Sequence, residues 1–145
     1  MKKAFQVFIF IPVLLGMSSL FYYYNNRLFL WEAQILWSQR PFDAVKFKNG
    51  STQERAQMVV SLINSKYLVE LDGDKVSQIL GEENGDYYHY DSNATYRLTE
   101  HGNADWILTI TTDGQGRVNR LFIRKSCCSV SRKAFNFLLQ VVSSF

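Results

Sequence analysis

From Ala4 to Tyr24 the chain runs 21 residues (AFQVFIFIPVLLGMSSLFYYY) without a charged side chain. At ~1.5 Å per residue, a helix of that length spans the ~30 Å hydrocarbon layer of a bilayer. Lys2 and Lys3 precede the run. Phe21, Tyr22, Tyr23 and Tyr24 end it, and Asn25, Asn26 and Arg27 follow, an aromatic and then polar boundary of the kind that sits at a membrane interface. Three readings are open. The run is a retained anchor; or a cleaved signal peptide whose apolar stretch is Ala4 to Leu15, with cleavage after Ser18; or a buried core helix. The first two leave both lysines in the cytoplasm and carry the rest of the chain across. The expectation is therefore a single-pass membrane protein whose domain lies outside the cytoplasm, in a periplasmic or extracellular space, with a secreted protein as the alternative.

The rest of the chain divides into a juxtamembrane helix and linker, residues 25–50, and an α+β domain, residues 51–145. The whole chain has 145 residues, enough for one core. Leu28 to Ser38 (LFLWEAQILWS) is apolar and reads as a helix that continues the first or lies along the membrane surface. Pro41 stops it, and Phe42 to Gly50 reads as a polar connector. Ser51-Thr52-Gln53-Glu54 is a capping-box pattern opening a helix to about Lys66, with Met58, Val59, Leu62 and Ile63 on one stripe. Asp72 caps a shorter helix with Val76, Ile79 and Leu80 inward, and Gly81 ends it.

The period then changes. Asp86 to Tyr90, Ala94 to Thr99, Asp105 to Thr112 and Arg117 to Lys125 alternate as strands, with Asp113 to Gly116 as a hairpin loop. Trp106, Leu108 and Ile110 share one face, and Leu121 and Ile123 fit the same core. Val118, Arg120, Phe122 and Arg124 share the other face of the last strand. Val130 to Phe145 reads as a closing helix with Ala134, Phe137, Leu138, Val141 and Val142 on its apolar side. The fold class is therefore α+β: an N-terminal transmembrane helix, then two helices, a four-strand antiparallel meander and a C-terminal helix, with one sheet face under helices and the other available.

A helix after a polar cap, the phrase Val76 to Gly81 (VSQILG), aromatic strands and the Asp113–Gly116–Arg117–Val118 hairpin together resemble the BamE/SmpA-OmlA and β-lactamase-inhibitor-protein-like superfamily over residues 51–125. The chain has Glu70 where such domains often place a glycine, Glu83 where they often place a proline, and no lipobox cysteine. The resemblance implies a small, exported, non-enzymatic module that binds other proteins.

Charge points the same way. Net charge is +3, of which Lys2 and Lys3 supply two; the remainder lacks the basic excess of a dedicated nucleic-acid binder. Between Asp43 and Asp113 lie twelve acidic and six basic residues, whereas after Asp113 there is no acidic residue but there are Arg117, Arg120, Arg124, Lys125, Arg132 and Lys133. That basic end either neutralises the acidic half within the fold or faces an acidic partner. His89, Asp91, His101 and Asp105 are the only residues that suggest metal or acid–base work, and their spacing matches no zinc signature. Cys127 and Cys128 are adjacent, which fits neither a redox CxxC pair nor a mutual disulfide. They are packing residues, intermolecular disulfide partners or acylated thiols. Tyr87, Tyr88, Tyr90, Tyr96 and Trp106 either form sheet core or include a binding patch. No cofactor and no small-molecule substrate is indicated.

The expected function is a membrane-anchored, extracytoplasmic protein-binding or assembly module without catalytic activity, held to the membrane through residues 4–24. The alternative is a secreted inhibitor or immunity-type protein after signal cleavage. The candidate partner-binding residues are Arg120, Phe122 and Arg124, a guanidinium–aromatic–guanidinium row. Reporter fusions placed after Ser38 and after Phe145 should both read as exported; a cytoplasmic signal from either overturns this orientation.

Overall fold

Ser51 opens the longest helix of the domain with the cap its sequence announces. Its hydroxyl accepts the Glu54 N–H at 3.3 Å, and the Glu54 carboxylate accepts the Ser51 N–H at 2.8 Å. The computed structural model describes residues 15–20, 26–85, 93–101 and 104–126. Its elements are β1 (Arg27–Leu28), α1 (Leu30–Trp37), α2 (Ala44–Asn49), α3 (Thr52–Ser65), α4 (Gly73–Leu80), β2 (Ala94–His101), β3 (Ala104–Thr112) and β4 (Val118–Lys125), and residues 15–20 are also helical. The class is α+β with a four-strand antiparallel sheet in the order β1-β4-β3-β2. Among the described residues no helix is long and apolar enough to cross a membrane. Of the run from residue 4 to 24, only 15–20 are described. The strand at 86–90 and the closing helix at 130–145 also lie outside the described residues.

The helices lie on one face of the sheet. Tyr96, Leu98, Trp106, Leu108, Ile110 and Ile123 meet Met58, Val59, Leu62, Val76 and Leu80 in one core. α3 buries more than the stripe expected of it: Ala56 and Val60 are also inside. The reason is α1, which packs along the second side of α3 and buries Ala33 and Trp37 there. At the end of α4, Gly81 adopts φ 89°, the left-handed region that favours glycine. Its carbonyl accepts the Tyr96 hydroxyl at 3.1 Å.

Three sequence expectations are corrected. Residues 42–50 are not a polar connector. Asp43 caps α2 through the Lys46 N–H (3.1 Å), and Phe47 is fully buried, its ring 6.2 Å from that of Tyr96. One large aromatic on a six-residue helix anchors it, although Lys46 and Lys48 make the stretch look solvated. The fourth strand of the described sheet comes from before the helices, because Arg27 and Leu28 pair with Arg124 and Ile123. α1 therefore begins at Leu30, after the chain has joined the sheet, and it ends at Trp37, ahead of Pro41.

The third correction concerns the outer sheet face. Ile107 and Thr109 point away from the helices, yet they are 1% and 2% exposed. β3 is an inner strand, paired with β4 on one side and β2 on the other. Ile107 lies between Arg97 and Arg124 on its neighbours, and the Arg124 Nε donates to the Thr109 hydroxyl at 3.0 Å.

This packing has measurable consequences. Leu108→Ala and Ile107→Ala should each cost ~2–5 kcal/mol in chemical denaturation, the range for truncating a buried aliphatic side chain; a much smaller loss for Ile107→Ala would mean that its face is open. The Tyr96 phenol, pushed up to about 12 by burial and then by the nearby Glu83 carboxylate, is neutral in both folded and unfolded chains below pH 10. Its contribution to stability is thus fully present at neutral pH and is lost as pH rises from 10 to about 12. Tyr96→Phe should lose about 1 kcal/mol at pH 7 with the bond to Gly81, and its stability should fall less steeply across that alkaline window. Parallel curves for the two proteins would refute the assignment.

Candidate functional site

β4 places the predicted row, and a bulge reorganises it. Thr111 pairs with Arg120 but Thr112 pairs with Val118, so Asn119 is the extra residue. Alternation breaks there. Val118 turns into the core, 1% exposed, in place of sharing a face with Arg120 as simple alternation expects. The Asn119 amide oxygen accepts the Thr111 hydroxyl at 2.6 Å, which ties the bulge to β3. Beyond it, Arg120, Phe122 and Arg124 share the face opposite the helices, across from Thr111, Thr109 and Ile107.

The three side chains do not form the row the spacing suggests. Arg120 is exposed and holds its guanidinium carbon 5.5 Å from the centroid of the half-buried Phe122 ring. Arg124 turns away. Besides the bond to Thr109, it donates to the Lys125 carbonyl at 3.1 Å. The second cation on Phe122 is Arg27, from β1, whose guanidinium carbon is 4.2 Å from the centroid. Phe122 is thus clasped by Arg27 and Arg120, while Arg124 braces the strand beneath. Cation–π contacts of this kind contribute ~0.5–1 kcal/mol at exposed sites. Arg27 is far from its partners in sequence, and only the pairing of β1 with β4 brings it here.

A cavity of about 180 Å³ opens beside the clasp, where Leu28, Leu30, Ile63 and Leu121 supply apolar walls and Arg27 and Arg120 the rim. Another cavity, about 280 Å³, lies at the start of α2 and is lined by Arg40, Phe42, Asp43, Lys46, Glu54 and Met58. Both fall below the ~300–1,000 Å³ typical of small-molecule sites. Lys46–Asp43 (3.8 Å) and Lys75–Asp72 (3.3 Å) are local pairs at helix starts.

Those other candidates from the sequence that are among the described residues stand apart from the clasp. His101 is exposed at the end of β2, and its carbonyl accepts the Trp106 indole N–H at 3.1 Å. Asp105 pairs with Glu100 across the sheet. His89, Asp91, Cys127 and Cys128 lie outside the described residues, as do Tyr87, Tyr88 and Tyr90. Among the described residues no cluster of three His, Cys, Asp or Glu side chains is placed to hold a metal. Tyr96 and Trp106 are core residues. The glycines after Asp113 form a turn: its carboxylate accepts the Gln115 and Arg117 N–H groups at 2.8 and 2.9 Å, and these bonds, that from Arg117 most, hold its pKa below the ordinary value.

No family model, no curated protein and no solved structure matches this chain.

Proposed function

We propose that this protein is a membrane-attached, extracytoplasmic module that binds or assembles with another protein and performs no catalysis. Its contact face centres on Phe122 between Arg27 and Arg120, with Arg124 as the brace. The clasp itself carries the proposal. A half-buried aromatic ring held between two guanidinium groups joins the residue types that lead in interface cores. An arginine already laid on a ring also loses less freedom when it forks onto a carboxylate. The complementary partner surface is therefore acidic, with an apolar group to meet Phe122.

Attachment is assigned to residues 4–24 on the strength of their length, lack of charge and flanking lysines, and the exposed Leu15, Met17 and Leu20 on helical residues 15–20 suit a lipid setting. The amphipathic pattern of residues 130–145, as a closing helix, belongs to the same proposal. So does the resemblance to the BamE-like superfamily, with its implication of a protein-binding role. Glu70 supports it: at φ 69° it adopts the left-handed conformation that favours glycine, the residue such domains often carry there. No nucleic acid, cofactor or small-molecule substrate enters the proposal.

The test uses the tagged full chain, cross-linked in its native membranes. Arg120→Glu should lose the partner that the wild type retains while its melting temperature barely moves, because an exposed charge contributes only ~0–1 kcal/mol. Arg124→Glu should lower the melting temperature, since it gives up the bond to Thr109. Retention of the partner by a folded Arg120→Glu variant would refute this site.

A further inference from the structure

α1 presents a second apolar face. Ala33 and Trp37 point inward, against α3, and Leu30 packs at the margin of the same core. On the other side Trp31 and Ile35, one turn apart, are 59% and 74% exposed, with Leu36 beside them at 38%. The one charged residue of the helix, Glu32, is folded back: its carboxylate accepts the Phe29 N–H at 3.0 Å. The outward side of this short helix is thus largely apolar as well, with Gln34 exposed on it and one carboxylate, Glu32, engaged at the helix N-terminus.

We infer that this outer face of α1, Trp31 with Ile35 and Leu36, lies in the headgroup–acyl boundary of the membrane, so that the domain meets the bilayer at a surface as well as through its anchor. Chain length favours lipid as the occupant. Trp31 is seven Cα-to-Cα steps from Tyr24, the end of the uncharged run, with six residues between them. Fully extended, those steps reach at most ~25 Å, so α1 cannot leave the vicinity of a bilayer that holds residues 4–24. Tryptophan is the side chain that best suits this boundary, with an apolar body and an N–H that stays wet. Beside it, Ile35 and Leu36 supply aliphatic surface to bury. Docking would fix how the domain stands on the membrane, and with it the direction in which the Arg120–Phe122 face looks. It rests on the attachment proposed for residues 4–24.

Docking and anchoring are separated by one preparation. The full chain is reconstituted into vesicles of phosphatidylcholine and phosphatidylglycerol, made with or without brominated acyl chains. Flotation with the vesicles after a carbonate wash reports the anchor. Quenching of tryptophan emission by bromine reports docking, since Trp37 and Trp106 are buried at 3% and 6% exposure and Trp31 is the one tryptophan on the surface. The expected result is flotation together with quenching that disappears in Trp31→Phe. Quenching should fall several-fold in Ile35→Asp, whose melting temperature should match the wild type because residue 35 is exposed. Flotation without quenching, or quenching equal in wild type and Trp31→Phe, overturns the docking while the anchor stands. Emission blind to bromine in a chain that self-associates through Trp31 would assign the face to a second copy and likewise overturn it. Absence of flotation removes the anchor, and the docking with it. Should Ile35→Asp unfold, the comparison of wild type with Trp31→Phe decides by itself.

Discussion

Tyr96 is the joint on which the domain turns. It stands on β2 with no exposed surface, its hydroxyl bonded to the carbonyl of Gly81 at the end of α4 and its ring edge-on to Phe47 of α2. Arg55 of α3 completes the joint. It lies over the Phe47 ring, and its guanidinium donates to the carbonyls of Phe47 and Lys48 at 2.8 and 3.1 Å. Those carbonyls sit at the C-terminal end of α2, where a cation is favoured and intrahelical partners run out. A six-residue helix would be marginal in isolation. Here it is held at both ends, and through Tyr96 it is held to the sheet.

The other organising fact is that β3 is an inner strand and buried on both faces. A half-exposed strand and a doubly covered one differ in the residues they tolerate on the outer face. Thr109 and Ile107 occupy that face among the long side chains of Arg97 and Arg124 rather than under a described helix. β4, by contrast, is covered in pieces along its outer edge. Arg117 bridges to Asp72, the Val118 N–H donates to the Leu71 carbonyl at 2.8 Å, and β1 takes up Ile123 and Arg124. Two short flanking segments blunt an edge that would otherwise offer its backbone for pairing along its whole length. The bulge at Asn119 falls between them, and it sends Val118 inward and leaves Arg120 outward.

The candidate site was legible only in part. Arg120 and Phe122 share a face because strands alternate, and the loss of acidic residues after Asp113 marks that end as basic; both are properties of neighbouring residues. Arg124 looked equivalent to Arg120 by spacing, yet a hydroxyl on the adjacent strand captured it. Arg27 carried no signal, since nothing near position 27 announces a two-residue strand. Two residues cannot display a period, and such a strand exists only because β4 is there to receive it.

The amino-acid sequence by itself determined the elements whose causes are local. Ser51 and Glu54 cap α3 through bonds within one turn, Asp72 does the same for α4, Gly81 ends α4 with a conformation that favours glycine, and Asp113 closes its turn on its own backbone neighbours. Alternation along β3 and β4 set most of the core face for the same reason. Only the tertiary structure decided where β1 pairs, why Phe47 makes a helix of an apparently polar stretch, how β3 comes to be buried twice, and which two guanidinium groups close on Phe122. Each of these depends on a partner distant in sequence. The free energy that selects it comes from surfaces meeting across the fold, and no window of neighbouring residues contains both surfaces.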